Sequence, residues 1–271
     1  MFSYSPWLIC LGLLTGAYGT LIGIGGGVIL VPALFFLYPG LTPDTLTAVS
    51  LAIVFLNSLS GTIAYSRQRR IDYRSGFLFA LATVPGTIIG AWAIHYLRRD
   101  LFSVIFGIML ILISLILQFK PREKTVTASL LLKGEARTIV DASGETLVYS
   151  YNLLLGIVLS FGVGFIAGLL GIGGGVILVP MMIYLLYFPT HIATATSHFA
   201  LTFSALTGSL THAVTGTYAH NWQMLPYLAI GVIPGAQFGA WLSSKLQGVT
   251  IIRFLALALA IMGVRLLLLA F

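Results

Sequence analysis

The sequence predicts an all-α polytopic membrane protein made of two homologous repeats, and three observations support this fold class. Hydrophobic residues make up 58% of the 271 residues and charged residues only 8%, whereas a soluble domain carries about 25% charged residues. Several apolar runs exceed the roughly 20 residues that a helix needs to cross a bilayer. A twelve-residue segment also occurs twice with one difference, as LIGIGGGVILVP at 21–32 and as LLGIGGGVILVP at 169–180.

The apolar runs divide the chain into two repeats with a polar linker between them. They lie at approximately 6–38, 46–66, 76–97, 101–119, 151–188, 192–214, 223–244 and 249–271. We therefore expect an N-terminal transmembrane repeat at 1–119, an inter-repeat linker at 120–150 and a C-terminal transmembrane repeat at 151–271. Within the linker, residues 136–149 alternate around Asp-Ala-Ser-Gly at 141–144, which is typical of a small β-hairpin.

The first apolar run of each repeat contains the glycine motif and is too long for one membrane-spanning helix. As a continuous helix, the 33 residues of 6–38 would span roughly 50 Å, whereas the hydrocarbon core is about 30 Å thick. Each of the glycines at 23, 25, 26 and 27 would cost about 1 kcal/mol relative to alanine in a helix. We therefore expect broken helices at the two GIGGG motifs, which gives each repeat four or five membrane-embedded elements.

The number of elements decides how the repeats are related. Four crossings in each repeat would make them parallel, and five would make them inverted. Most of the 14 Lys and Arg residues lie between apolar runs, which is the bias that orients membrane proteins. Inversion would place the basic loop 67–74 and the linker in the cytoplasm, and the loop 214–221, which has no Lys or Arg, outside. The charge distribution therefore favours inversion, and the net charge of +7 is assigned to topology rather than to nucleic-acid binding.

The glycine triplets are candidate binding elements for an anion. They comprise Gly25, Gly26, Gly27, Gly173, Gly174 and Gly175. If each triplet opens a half-helix, several backbone N–H groups and the positive end of the helix dipole point at one place. The alternative is close helix packing through small residues. Related halves interrupted by glycines at membrane depth are typical of secondary transporters, whose sites lie near the midplane between the repeats.

Polar side chains in the second apolar run of each repeat are the other candidates. The residues expected to line the site are Ser50, Asn57, Ser197, His198 and Thr202. Interhelical hydrogen bonds, or bonds to the residue's own helix, would equally explain single Ser and Thr residues. No Asp or Glu lies within an apolar run, so His198 and His212 are the candidates for a buried proton carrier. Cys10 is the only cysteine, which excludes an intrachain disulfide, and neither a metal site nor a cofactor is expected.

These features together resemble the TauE/SafE sulfite exporter family. The resemblance rests on the duplicated GxGGGxxxVP pattern at 23–32 and 171–180, on PGxxxGAW at 85–92 and 234–241, and on the two-repeat layout. It implies a transporter, not an enzyme, that moves small sulfur-containing oxyanions such as sulfite, sulfoacetate or related organosulfonates, mostly outward across a cell inner membrane. The expected partners are this anion and the lipid bilayer, with no nucleic acid; a homo-oligomer is left open.

Three alternatives to an exporter are left open at this point. The first two are an uptake carrier and a channel, because these residues reveal neither direction nor coupling ion. The third is an intramembrane hydrolase that would use Ser197 or Ser204 with His198 or His212. It is disfavoured because adjacent residues on one helix do not face each other and no triad-like set is evident.

Overall fold

The chain folds into ten α-helices and one β-hairpin over the residues that its computed structural model describes, which are 6–119, 135–220 and 223–270. Within these ranges, four helices are long and apolar enough to cross a membrane: Pro43–Arg67, Tyr73–Tyr96, Leu153–Leu170 and Met224–Ser243. Shorter apolar helices lie at Trp7–Ile22, Gly27–Leu37 and Gly175–Tyr184. This composition agrees with the expected all-α membrane protein.

The first half of the chain, 6–119, contains five helices. They are α1 (Trp7–Ile22), α2 (Gly27–Leu37), α3 (Pro43–Arg67), α4 (Tyr73–Ala93) and α5 (Arg99–Phe119). Side chains cap two of them, since the Thr42 hydroxyl accepts a hydrogen bond from the Thr45 N–H at the start of α3 and Asp72 accepts one from the Ser75 N–H at the start of α4. A 3₁₀ turn at Ile94–Tyr96 follows α4.

The second half, 153–270, repeats the same order of five helices. They are α6 (Leu153–Leu170), α7 (Gly175–Tyr184), α8 (Thr190–Val214), α9 (Met224–Ser243) and α10 (Gly248–Ala270), with a 3₁₀ turn at Thr217–His220 after α8. The Asn152 side chain caps α6 by accepting from the Leu155 N–H. Matched by position, α1 corresponds to α6, α3 to α8 and α5 to α10.

Both glycine motifs interrupt their helices through left-handed backbone. α1 ends before Gly23, whose φ is +86°, and α2 begins after Gly26, whose φ is +79°. In the second half Gly171 has a φ of +71° and Gly174 a φ of +92°. Glycine adopts these angles without the steric cost that a Cβ would add, which explains why each motif ends one helix and starts another.

Most helices pack against helices of the opposite half. α1 runs along α9, α6 along α4, α5 along α10, and α3 along α8. Glycines allow the close approaches, since a Cβ on Gly90 would lie 2.1 Å from the Phe165 carbonyl oxygen and one on Gly239 would lie 2.1 Å from that of Ala17. The glycines of the PGxxxGAW elements therefore act in helix packing.

The central helices α3 and α8 run in opposite directions. Thr47, near the start of α3, lies 3.4 Å from the His212 ring near the end of α8. Thr62, near the end of α3, lies 3.2 Å from Thr202 in the middle of α8. Because α3 and α8 are equivalent helices of the two halves and pair antiparallel, a twofold axis perpendicular to their length relates them.

The hairpin expected within the linker forms from β1 (Glu135–Val140) and β2 (Thr146–Tyr151), which pair antiparallel. Residues 120–134 of the linker lie outside the described ranges. The hairpin docks on the start of α4, where Arg137 forms an ion pair with Asp72 at 2.8 Å and the Tyr149 hydroxyl donates to the same carboxylate at 2.7 Å. Burial acts to raise the pKa of Asp72, but hydrogen bonds from Arg137, Ser75 and Tyr149 outweigh it and leave this pKa below its ordinary value.

Candidate functional site

The two glycine motifs meet at the centre of the molecule through reciprocal hydrogen bonds. The Ser50 hydroxyl of α3 donates to the Gly171 carbonyl at 2.6 Å. The Ser197 hydroxyl of α8 donates to the Gly23 carbonyl at 2.7 Å. Ser50 and Ser197 are equivalent positions in the two halves, so each serine ties its helix to the glycine motif of the other half.

Four of the six candidate glycines are packed tightly against the opposite half. A Cβ on Gly25 would lie 2.6 Å from Leu201 Cδ2, and one on Gly173 would lie 2.5 Å from Val54 Cγ1. A Cβ on Gly27 would meet the Gly171 carbonyl oxygen at 2.9 Å, and one on Gly175 would meet Ile24 Cα at 2.6 Å. In this conformation Gly27 and Gly175 permit backbone contact between the motifs, and Gly25 and Gly173 permit close approach to side chains of α8 and α3, as the packing alternative requires.

The middle glycines, Gly26 and Gly174, have different neighbours. Both are N-caps whose helices, α2 and α7, lack a side-chain cap for their first N–H groups. A Cβ on Gly26 would lie 2.5 Å from the Thr15 carbonyl oxygen of α1 and 3.5 Å from the amide nitrogen of Asn57, whereas one on Gly174 would face Val163 and Ala167 at 3.1 and 3.2 Å. Of the two uncapped helix starts, only that of α2 has a polar side chain among these nearest neighbours.

A buried polar cluster lies beside the start of α2, and we call it the central cluster: Thr20, Asn57, Tyr65 and His198. The Thr20 hydroxyl donates to Asn57 Oδ1 at 2.9 Å and lies 3.2 Å from His198 Nε2. The Tyr65 hydroxyl donates to the Thr20 carbonyl at 2.6 Å, and its ring packs edge-on against the His198 ring. All four residues are fully buried. Two predicted site residues, Asn57 and His198, are thereby brought together.

The central cluster contains polar atoms without protein partners. Asn57 Nδ2 has no hydrogen-bond acceptor among the described residues. His198 Nδ1 also lacks a hydrogen bond of good geometry, although the Gly23 backbone lies beside it. A buried polar group left unpaired costs about 1–3 kcal/mol. The amide of Asn57 therefore has hydrogens without an acceptor beside the start of α2.

The structure places Thr202 outside the central cluster. Its hydroxyl donates to the His198 carbonyl of its own helix at 3.1 Å and faces Thr62 of α3. With Ser50 and Ser197 engaged by glycine carbonyls, the three predicted hydroxyl residues all have protein partners. The sequence analysis did not name Thr20 or Tyr65 as site residues. The sequence signal available for Thr20 is the difference between the repeats at this position, where the second repeat has Gly168.

A second group of polar residues lies at the start of α3, and we call it the end cluster: Asp44, His95 and His212. Asp44 Oδ1 lies 2.8 Å from His95 Nδ1 and 3.1 Å from His212 Nδ1. His212 is fully buried, while the other two side chains are about a quarter exposed. Within the described ranges no group of three His, Cys, Asp or Glu residues has the arrangement of a metal site.

Comparison with known proteins agrees with this architecture. The sequence model of the family described as "Sulfite exporter TauE/SafE" matches residues 8–266. The chain belongs to the TauE/SafE family. It is 39% identical over 269 residues to the "Probable membrane transporter protein YunE" of Bacillus subtilis, covering 96% of each chain.

More distant relatives of this TauE/SafE protein carry the same description. A "Probable membrane transporter protein" of Haemophilus influenzae is 32% identical over 89% of this chain and 85% of its own length. A similarly named protein of Methanocaldococcus jannaschii is 25% identical over 97% and 95%. No solved structure is significantly similar to the chain. Family and relatives together identify a multi-pass membrane transporter and not an enzyme.

Proposed function

We propose that this TauE/SafE protein is a secondary transporter that exports small sulfur-containing oxyanions, such as sulfite, sulfoacetate or related organosulfonates, across the cell inner membrane. The observation that carries the proposal is the unpaired, fully buried amide of Asn57 beside the uncapped start of α2. An oxyanion bound there would accept from this amide and from the first N–H groups of the helix.

The charge of the central cluster fits an anion. Apart from Asp44 in its first turn, α3 contains no Asp or Glu, and α8 contains none. The positive end of the α2 dipole favours negative charge at this place. His198 adds a group that hydrogen-bonds an anion when neutral and pairs with it electrostatically when protonated. A cationic substrate would find no compensating carboxylate here.

The proposed architecture consists of two inverted repeats, 1–119 and 151–271, joined by the linker 120–150. The antiparallel pairing of α3 with its counterpart α8 supports inversion, as does the equal order of five helices in each half. The glycine motifs lie where the halves meet, so rocking one repeat against the other would open the site to alternate sides. The basic linker then lies in the cytoplasm.

Export has a ready driving force in this scheme. Because the cell interior is negative, each negative charge that leaves gains about 2.3 kcal/mol per 100 mV. A dianion therefore needs no coupling ion to leave, which accounts for the lack of carboxylates in the central cluster. The hydrolase alternative has no support, since the hydroxyls of Ser197 and Ser204 donate to glycine carbonyls and His198 contacts Thr20 instead.

The test combines ligand binding with flux. A ligand that binds only the folded protein raises its melting temperature, so sulfite, sulfate, thiosulfate, sulfoacetate, taurine and chloride are compared in detergent. We expect selective stabilisation by a sulfur oxyanion, and efflux of that anion from proteoliposomes that responds to membrane potential.

Two matched variants locate the site. Asn57→Ala removes the free amide, whereas Ser204→Ala changes the equivalent position of the second repeat. We expect Asn57→Ala to lose the ligand-induced stabilisation and Ser204→Ala to keep it. A cooperatively melting wild-type protein that responds to none of the anions would overturn the substrate class, and a folded Asn57→Ala that binds as the wild type does would overturn the site.

A further inference from the structure

The end cluster joins the two halves at the end of the bundle opposite the hairpin. Asp44 lies in the first turn of α3 and His95 in the turn after α4, so both belong to the first half, while His212 belongs to α8 of the second. The 25 residues of α3 separate this cluster from the hairpin end, a distance of about 37 Å at 1.5 Å per residue.

The contact between His212 and Asp44 depends on charge. Asp44 Oδ1 and His212 Nδ1 are both buried and lie 3.1 Å apart, but neither has a hydrogen bond of good geometry. A carboxylate oxygen and an imidazole nitrogen without a directed hydrogen bond attract each other strongly only when the ring is an imidazolium. A proton on the ring would therefore strengthen the contact between Asp44 and His212.

The contact on the other side of the His212 ring also fits a ring that carries hydrogens on both nitrogens. The Thr47 hydroxyl uses its one hydrogen to donate to the Asp44 backbone carbonyl at 2.9 Å. Its oxygen can then only accept from His212 Nε2, which lies 3.4 Å away. A ring that donates from Nε2 and faces a carboxylate with Nδ1 is satisfied on both sides only when both nitrogens are protonated.

The surroundings of the cluster contain few other ionisable groups. The turn after α8 contributes Thr217 and Tyr218, and the Tyr218 hydroxyl donates to the Ala48 carbonyl at 2.8 Å. The start of α5 contributes Arg99, whose guanidinium donates to the carbonyls of Phe35 and Leu41 at 2.9 Å. Asp44, His95 and His212 are therefore the acid–base groups that face one another here.

We infer that Asp44, His95 and His212 form a proton-binding site that ties the two halves together at this end of the bundle. With the proton bound, the Asp44–His212 contact is attractive and this end stays closed. Loss of the proton leaves the partly exposed Asp44 carboxylate beside a neutral ring and weakens the contact between the halves. In the topology proposed above this end faces outward, so external pH would control opening; the proton site itself does not depend on the identity of the transported anion.

The test measures thermal unfolding of the purified full chain in detergent, without any anion substrate, between about pH 5 and 8, where histidines titrate. We expect the melting temperature of the wild type to fall by several degrees across this range relative to His212→Gln, whose curve is flatter. Asp44→Asn should flatten the curve in the same way. His191→Gln, which changes a histidine outside the cluster, should keep the wild-type slope.

Parallel curves for the wild type and both cluster variants would overturn the inference, as would an equal flattening by His191→Gln. If His212→Gln does not fold, Asp44→Asn and His95→Gln give the same comparison with smaller changes of shape. Because no anion is present, failure of this test leaves the proposed transport function untouched, and failure of the anion screen leaves the proton site untouched.

Discussion

Asn57 and Ser204 occupy equivalent positions in the two halves but make different hydrogen bonds. The Ser204 hydroxyl donates to the Gly173 carbonyl at 3.0 Å, so its one hydrogen is used within its own half. Asn57 accepts from Thr20 through Oδ1 and keeps its amide hydrogens unpaired. The two halves therefore share a backbone plan but differ in which polar groups at these positions are left without a partner.

This difference leads us to propose one site for each molecule rather than two. The position equivalent to Thr20 is Gly168, and the position equivalent to His198 is Leu51. The second glycine motif thus lacks the central cluster, and its middle glycine, Gly174, has Val163 and Ala167 as neighbours where Gly26 has Asn57. Its glycines serve contact between the halves, whereas the first motif additionally offers donors.

Replacing Thr20 with Val tests whether the central cluster is held in place for binding. The change removes the hydroxyl that contacts both Asn57 and His198. Loss of one such partner costs about 1–3 kcal/mol, so we expect roughly a ten-fold or greater rise in the Kd for the anion, measured by calorimetry or ligand-dependent melting. Thr15→Val is the matched control, because the Thr15 hydroxyl donates only within α1, to the carbonyls of Leu11 and Gly12. An equal loss in both variants would contradict the prediction.

Replacing Gly25 with Ala tests the packing of the motifs. The new Cβ would lie 2.6 Å from Leu201 Cδ2, and the residue would keep a φ of +79°. A non-glycine residue held in such backbone costs about 1–3 kcal/mol before any clash. We expect a clearly lower melting temperature or loss of folded protein on size-exclusion chromatography. Gly162→Ala in α6, where no atom lies within 4 Å of the added Cβ, should melt at or above the wild-type temperature.

Replacing Arg137 with Gln tests the docking of the hairpin. In the folded protein the pKa of Asp72 lies below its ordinary value, so the ionised carboxylate stabilises the fold at neutral pH. This contribution is lost as the pH falls from about 4, the ordinary pKa of an aspartate, through the lowered pKa of Asp72. Removing Arg137 takes away the strongest of the lowering interactions, so acid unfolding should begin at a higher pH than in the wild type.

Thermal melts at a series of acidic pH values measure this shift. Arg67→Gln is the control, since it removes a positive charge from the last turn of α3 and leaves both members of the Arg137–Asp72 ion pair in place. Identical acid transitions for Arg137→Gln and the wild type would contradict the assignment of the ion pair to hairpin docking.

Much of this fold could be predicted from the sequence because its signals are local. Apolar length, the glycine pairs of PGxxxGAW and the alternation of the linker strands each act within one segment. The left-handed backbone at Gly23 and Gly26 is also a local property, because glycine adopts a positive φ without a steric cost.

The central cluster was only partly predictable, because hydrogen-bond partners come from distant segments. Ser50 and Ser197 were expected to face a ligand, yet the carbonyl partner of Ser50 lies 121 residues away in the chain. The antiparallel pairing of α3 and α8 brings His212 to Thr47 across 165 residues. Asp44 lies outside the apolar runs of the sequence, and its contacts with His95 and His212 follow from tertiary packing alone.

Cysteine accessibility tests the proposed inversion. Ala142 lies at the exposed turn of the hairpin and Ala213 in the exposed last turn of α8, near the end cluster. In a Cys10→Ser background, we expect a membrane-impermeant thiol reagent applied outside intact cells to label Ala213→Cys but not Ala142→Cys. Ala142→Cys should become reactive once the membrane is permeabilised. Parallel repeats would place both positions on the cytoplasmic side. Protection of both positions in intact cells would therefore contradict inversion. An axis in the membrane plane could not then relate α3 to α8.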